Sequence, residues 1–181
     1  MLGKRSDPFS FFIKKHIIKG GTKLETTYSA TEIAKYFLLK DKNDHAVALT
    51  NLKLQKILYY AQGWYLANFG KPLFEDPIEA WKFGPAIRSI YQQYKDFGNR
   101  PLTEEVTDDD VSHIDSDTKA FLDKIWDAYK GFSGAELVFF THNEKPWREA
   151  RRDLGNHDNS DNEISKDALE SYFRSLISNG N

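Results

Sequence analysis

The sequence contains no cysteine, and its 181 residues include only six prolines and one methionine. The absence of cysteine excludes disulfide scaffolds, thiolate zinc sites, iron–sulfur clusters and cysteine nucleophiles. Long apolar runs are also missing: the stretch from Phe9 to Ile18 is interrupted by Ser10 and by the polar residues 14–16. A signal peptide or a membrane-spanning helix needs a longer continuous apolar segment. We therefore expect a cytoplasmic protein that is neither exported nor inserted into a membrane.

The composition is that of a folded globular protein. Hydrophobic residues make up 40% of the chain and charged residues 29%, which is unlike a disordered or fibrous sequence. The length suits one domain. Charge is uneven, because residues 1–25 carry a net charge of +4, which leaves −6 for residues 26–181. We expect residues 1–27 to form a basic N-terminal arm, whose charge predicts only weak, non-specific contact with nucleic acid.

Helical periodicity dominates the chain beyond this arm. Ser29 and Glu32 have the spacing of a capping box, so a helix is expected to begin at Ser29 and to end in the polar turn at 41–44. The strongest pattern follows Thr50, where apolar residues recur at helical spacing as far as Gly70. The apolar surface of this helix is broader than one stripe. It therefore predicts a central helix that is packed on several sides.

A short aromatic-rich segment, residues 78–83, predicts a strand. In such a strand Trp81 would point inward and Lys82 outward, since alternate side chains face opposite sides. The dipeptide Gly84-Pro85 is expected to open the next helix, because proline is tolerated at the first helical position. The apolar face of this helix is expected to consist of Ile87, Ile90, Tyr91 and Tyr94. Further helices are expected to begin at four positions, which are Asp115 or Ser116, Ser133, Pro146 and Ser165.

The stretch from Glu104 to Asp117 contains seven acidic residues and no lysine or arginine. This pattern is typical of a solvated, mobile connection between two packed helices. The whole pattern predicts a mainly α protein. We expect a compact single-domain bundle of about six to seven helices with a minor short β element around residues 78–83.

The residues give no catalytic or metal-binding motif. Gly70-Lys71 resembles part of a phosphate loop, but Pro72 stands where serine or threonine is required. His142 and Glu144 imitate half of a zinc deaminase signature whose other half needs cysteines. His142 has no second histidine at ligand spacing, so we expect it to be a hydrogen-bonded hinge between two helices. The protein is therefore predicted to be no enzyme and to bind no metal or cofactor, with an uncharacterised carboxylate enzyme as the alternative.

Several pieces of the sequence carry a resemblance to a known family. They are LQKILYYAQGWYL at residues 54–66, GKPLF at 70–74, IEAWKFGP at 78–85, and a later set of Leu137, Thr141-His142 and Pro146-Trp147. These ordered pieces resemble the Panacea domain, the SocA-like antitoxin family that also includes phage-associated and GepA-type proteins. The resemblance covers residues 28–178. One departure is that Val138 follows Leu137 where the family pattern has serine.

The resemblance implies an antitoxin of a toxin–antitoxin or phage-defence module. Such a protein would neutralise a cognate protein toxin, encoded by an adjacent gene, through direct protein–protein contact. Aromatic side chains can supply the desolvated anchors of such an interface, whereas Tyr60 and Trp64 are needed in the core by the central helix. The residues predicted to bind the partner are Trp81, Lys82, Phe83, Gly84, Pro85, His142 and Trp147.

Two other modes of action stay open at this point. One is a DNA-binding autoregulator of its own operon, since Ser29 to Ala61 contains two successive helices. The segment from Asp41 to Leu49 is longer than the turn of a helix-turn-helix, however, and the second helix offers only Lys53 and Lys56 to DNA. The other is a protease adaptor that delivers the toxin for degradation. The sequence does not separate blocking from delivery.

Overall fold

The structure is a computed structural model, and it describes residues 27–44, 47–155 and 158–178. The predicted basic arm therefore lies almost wholly outside the described residues. Within these ranges the chain forms seven α-helices and one two-stranded antiparallel sheet. The elements are α1 (Ala30–Asp44), α2 (Asn51–Phe69), β1 (Glu79–Trp81), β2 (Gly84–Ala86), α3 (Arg88–Tyr94), α4 (Ser116–Tyr129), α5 (Gly134–His142), α6 (Lys145–Ala150) and α7 (Lys166–Ser178). The predicted fold class, mainly α with a minor β element, is confirmed.

The first helix begins where the capping pattern predicts. The Ser29 amide and hydroxyl donate hydrogen bonds of 2.7 and 2.8 Å to the Glu32 carboxylate. The Glu32 amide in turn donates to Ser29 Oγ at 3.2 Å. The box satisfies amides that have no partner inside the helix. The helix ends at Asp44, inside the predicted polar turn.

The central helix α2 is closed at both ends by the residues that the sequence indicates. Thr50 Oγ1 accepts a hydrogen bond from the Lys53 amide at 3.3 Å. Gly70 adopts φ +67° and its amide donates to the Leu66 carbonyl at 2.8 Å, which is a left-handed helix end that favours glycine. The helix contacts α1, α3, α4, α5, α7 and β2, and nearly all of its side chains are buried. The predicted central helix is confirmed.

The region around Gly84 differs from the prediction. Residues 79–81 do form the predicted strand, but it pairs with β2 in a hairpin whose two-residue loop is Lys82 and Phe83. The expected helix start at Gly84-Pro85 is therefore wrong, and α3 begins only at Arg88. Gly84 has φ +90°, which turns the chain back along β1 and is incompatible with entering a helix.

The acidic stretch from Glu104 to Asp117 is packed more firmly than expected. It buries three apolar side chains, those of Val106, Val111 and Ile114. A 3₁₀ turn at Asp109–Val111 packs against α1. Asp115 caps α4 by accepting the Thr118 amide at 2.8 Å. The expectation of a solvated connection is therefore wrong for the apolar residues, because single apolar side chains between the acids enter the core.

The predicted C-terminal helices are confirmed. The capping box of Ser133 and Glu136 is formed in both directions at the start of α5. Pro146 stands in the first turn of α6, and α7 begins one residue after the predicted Ser165. The polar stretch before α7 contains no helix in its described residues.

The last helix, α7, closes the body by placing the ring of Phe173 directly over Gly63 of α2. Phe173 of α7 lies so close to Gly63 that a Cβ atom at Gly63 would be 2.2 Å from its ring. The same ring packs edge-on against the rings of Tyr59, Tyr60 and Trp64. One hydrophobic core joins residues from Tyr28 to Phe173. Among the described helices, none is both long enough and apolar enough to cross a membrane.

Candidate partner-binding site

The seven residues predicted to contact a partner lie in one region of the structure. Residues 81–85 form the end of β1, the hairpin loop and the start of β2, while His142 and Trp147 lie at the junction of α5 and α6. Trp147 Nε1 donates to the Trp81 carbonyl at 2.8 Å, across 66 residues of sequence. The rings of His142 and Trp147 are stacked with centroids 4.0 Å apart. The fold thus brings the two predicted segments together.

These residues differ in what they present to solvent. Phe83 is 61% exposed at the hairpin loop, whereas Gly84, Pro85 and Trp147 are buried. The side chains of Trp81 and Lys82 are both half-buried, so the expected inward and outward alternation is wrong. The reason is that Lys82 lies in the loop and not in the strand. Residues 81–83 therefore form most of the accessible part of the predicted site, and His142 is half-buried beside them.

An open groove of about 510 Å³ runs along the hairpin. Its lining consists of Trp81, Lys82, Phe83, Arg88, Tyr91 and residues 159–161. The sequence pattern did not indicate Arg88 or residues 159–161, and it placed Tyr91 on the apolar face of its helix. Tyr91 is instead 39% exposed and meets the Trp81 ring edge-on at 4.9 Å. No local signal distinguishes it from the buried residues at helical spacing around it.

Glu79 organises this groove from beneath. Its carboxylate accepts hydrogen bonds from Trp81 Nε1 at 2.6 Å and from Arg88 Nε and Nη2 at 3.0 and 2.7 Å. The hydrogen bonds from Arg88 to this carboxylate raise the pKa of Arg88 and hold its guanidinium 5.5 Å from the Trp81 ring centre. Lys82 Nζ lies 5.1 Å from the Phe83 ring centre. The groove therefore presents cations on aromatic faces, a combination that suits a protein partner.

The second strand of the hairpin is held by side chains of α2. Lys56 Nζ donates to the Pro85 carbonyl at 2.8 Å. Gln55 Oε1 accepts a hydrogen bond from the Ile87 amide at 2.7 Å. Both side chains are buried, so the hairpin is bonded to the central helix away from solvent.

The first strand is held from the other side by α6 and the residue that follows it. Arg151 Nη1 donates to the Ala80 carbonyl at 2.7 Å. Trp147 Nε1 donates to the next carbonyl, that of Trp81. We refer to the four side chains that bond to the hairpin backbone and to Ile87 as the anchoring residues, which are Gln55, Lys56, Trp147 and Arg151.

Lys56 and Gly84 approach each other so closely that no other residue fits at position 84. A Cβ atom on Gly84 would lie 2.7 Å from Lys56 Cε and 2.8 Å from Thr141 Oγ1. The φ of +90° at Gly84 disfavours any L side chain independently of space. Burial lowers the pKa of Lys56 to about 7. Above this pH the neutral amine donates the hydrogen bond to the Pro85 carbonyl, so no unpaired charge is buried.

Glu144 and His142, the two residues of the incomplete deaminase pattern, both bond or stack with side chains of other elements. Glu144 is 6% exposed and accepts hydrogen bonds from the Tyr59 and Tyr60 hydroxyls at 2.6 and 2.9 Å. Burial, together with this carboxylate, raises the pKa of both tyrosines. Burial also lowers the pKa of His142, which is the last residue of α5 and is hydrogen-bonded to the Lys82 backbone. Glu144 thus joins the segment between α5 and α6 to α2, and His142 joins α5 to α6 and to the hairpin.

The structure bears on two alternatives raised by the sequence, a metal site and a helix-turn-helix. In the described part of the chain, no three histidine or carboxylate side chains are grouped so that they would hold a metal ion. The helix-turn-helix alternative requires α2 as an exposed recognition helix. Since α2 is buried along nearly its whole length, it cannot enter a DNA groove without unfolding the core.

Comparison with known proteins agrees with the resemblance found in the sequence. The family model described as "Antitoxin SocA-like, Panacea domain" matches residues 54–148, which include the hairpin and α5. Antitoxin SocA of Caulobacter vibrioides (strain NA1000 / CB15N) is 30% identical, and the matched region covers 56% of this chain and 59% of that protein. The chain thus spans less than two thirds of the length of this curated relative. No solved structure matches the chain. Because the family model covers more than half of its residues, the chain belongs to the SocA-like Panacea domain family.

Proposed function

We propose that the protein is an antitoxin that neutralises a cognate protein toxin by direct contact through the hairpin and its groove. Membership of a family described as antitoxin SocA-like supports the role. The name of the relative, Antitoxin SocA, supports it as well. We choose this surface because the exposed loop residue Phe83 borders a groove within the region that the family model matches.

Phe83 is the main anchor in this proposal. A phenylalanine that becomes fully buried contributes about 1.5–3 kcal/mol, and Phe83 offers most of its ring to a partner. Lys82 places a positive charge beside it, whereas the charge of Arg88 is paired with Glu79, so a carboxylate on the toxin opposite Lys82 would match this loop. Aromatic residues and arginine are enriched among the residues that dominate binding energy.

The action proposed here is occlusion of the toxin, without turnover by this chain. The toxin is expected to be the product of an adjacent gene, acting in the cytoplasm, with nucleic-acid contact at most secondary. We further propose that the antitoxin domain extends over residues 28–178. The core supports this extent because it includes Tyr28 and Phe173, which lie outside the matched residues 54–148.

The test is co-expression with the product of the adjacent open reading frame, which is expected to arrest growth when expressed alone. Phe83→Ala and Lys82→Glu should each weaken rescue, and should weaken binding of the purified toxin about tenfold or more. Phe139→Ala is the matched control, since Phe139 is 67% exposed on α5 and does not line the groove. Loss of rescue in Phe139→Ala alone would move the contact surface to α5.

A change at Glu144, the least exposed carboxylate among the described residues, distinguishes occlusion of the toxin from catalysis. Glu144→Gln, once shown to be folded, should still rescue cells, because occlusion depends on a surface and not on proton transfer. A folded Glu144→Gln protein that binds the toxin but no longer rescues would point to an enzyme. The half-life of the toxin during rescue distinguishes blocking, which leaves it unchanged, from delivery to a protease, which shortens it.

A further inference from the structure

The hairpin is too short to hold its own shape. Each of its strands has three residues, and an isolated two-stranded hairpin is at best marginally stable in water. Backbone bonds to residues 162–164 support one edge, since the Ala80 amide donates to the Asn162 carbonyl and the Ile164 amide to the Ile78 carbonyl, both at 2.8 Å. The anchoring residues add support through buried side-chain donors.

We propose that Lys56, Trp147 and Arg151 are positioning residues, which fix the hairpin backbone so that Phe83 and Lys82 are presented to the partner in one preformed arrangement. Each of the three donates to a backbone carbonyl of the hairpin and to none of its side chains. The bonds therefore determine where the loop lies, whatever side chains it carries. The contribution to binding rests on the proposed function, whereas the fixing of the backbone does not.

Burial makes these bonds difficult to replace. Lys56, Trp147 and Arg151 are 1%, 5% and 4% exposed, so water has little access to their donor groups. A carbonyl that loses a buried donor is left without a partner, which is more unfavourable than losing a bond at the surface. His142 stacks on the Trp147 indole and keeps its N–H directed at the hairpin.

Arg151 also links the two walls of the groove. Besides the Ala80 carbonyl it bonds through Nη2 to the carbonyls of Gly155 and Asp158, at 3.1 and 2.7 Å. Residues 159–161, which also line the groove, follow directly in the chain. The Arg151 guanidinium and the backbone bonds to residues 162–164 therefore set the separation between the hairpin and this loop together. A preformed groove binds more tightly, because less conformational entropy is lost when the partner arrives.

Hydrogen exchange in the free protein tests the fixing of the backbone. Trp147→Phe removes the indole donor but keeps a ring to stack on His142, and it should raise the exchange rate of amides in residues 79–87 about fivefold. Trp126→Phe is the matched control, because Trp126 is also fully buried and donates through Nε1, to Asp44 at 2.8 Å. It should leave exchange in residues 79–87 unchanged.

A second variant keeps the test valid if Trp147→Phe folds poorly. Lys56→Met retains the apolar stem, removes the donor to Pro85 and should also raise exchange in residues 79–87. Exchange that stays at the parent rate in both variants, or that rises equally in α2 and α7, would overturn the positioning role.

A binding measurement tests whether the fixed hairpin backbone contributes to recognition of the partner. With the adjacent-gene product as the probe, Trp147→Phe should weaken binding about fivefold while Trp126→Phe does not. Faster hairpin exchange with unchanged binding would overturn the link to recognition. If the parent protein itself does not bind this product, the proposed function fails, and the exchange result still decides whether the three residues fix the backbone.

Discussion

Alanine in place of Gly63 should destabilise the protein, although alanine is the better helix former. The new methyl group would lie 2.2, 2.4 and 2.7 Å from three carbons of the Phe173 ring, whereas ordinary contact begins near 3.4 Å. The ring has no free space to move into. It is 1% exposed and packs edge-on against Trp64 and Tyr59, with centroids 4.9 and 5.8 Å away.

The magnitude follows from two opposing effects. Replacing glycine by alanine inside a helix contributes about 1 kcal/mol of stability through helix propensity. Overpacking a well-filled core costs about 1–3 kcal/mol, and more when the backbones themselves must separate. Since the clash at Gly63 is severe and involves a buried ring between α2 and α7, we expect overpacking to cost about 3 kcal/mol, which leaves a net loss of about 2 kcal/mol. This corresponds to a fall of roughly 4–8 °C in the thermal midpoint.

Urea unfolding followed by far-UV circular dichroism measures the effect. Gly131→Ala is the control, because a Cβ atom there would meet no atom within 4 Å. Trimming the opposing ring should restore stability, so Gly63→Ala combined with Phe173→Leu should be less destabilised than the sum of the single changes. A Gly63→Ala protein as stable as its parent would refute the close approach of α2 and α7.

Two further predictions concern pH and chain length. Because the pKa of Lys56 is lowered from 10.5 to about 7 by burial, the folded state binds fewer protons between these values, and the free energy of unfolding should rise with pH by up to about 1.4 kcal/mol per unit. Lys56→Met should flatten this slope in urea titrations near pH 7, 8 and 9, and an equal slope in both proteins would contradict the assignment. Deleting residues 1–25 should leave the thermal midpoint unchanged, since the helical periodicity of the sequence begins only at Ser29. A fall of more than about 5 °C in scanning calorimetry would show instead that the arm stabilises the body.

The features that the sequence predicted well are those that depend on neighbouring residues. The capping box of Ser29 and Glu32 and the glycine end at Gly70 each involve groups within one helical turn. The central helix was predictable because its apolar residues extend over five turns at one spacing. The seven proposed contact residues also came together, since the hairpin and the junction of α5 and α6 are adjacent.

The features that the sequence did not predict depend on residues distant along the chain. A three-residue strand such as β2 is too short to show a period of two, and Pro85 is equally acceptable in a helix start and at a strand position without an amide bond. The anchoring role of Arg151 requires knowing that Ala80 lies beside it, across 71 residues. Exposure of Tyr91 was likewise hidden, because its spacing is the same as that of its buried neighbours.

The strands of the hairpin are held through their backbone, whereas the loop side chains are free of these bonds. This arrangement has a consequence for protein engineering. Lys82 and Phe83 form a two-residue loop whose flanking strand residues are held by donors elsewhere in the chain. Both side chains should therefore be exchangeable in a randomised library without loss of the fold. Residues 88 and 91 on α3 border the same groove and extend the library to a second wall. Selection from such variants would redirect the domain toward new targets, with Gly84 and the buried donors kept constant.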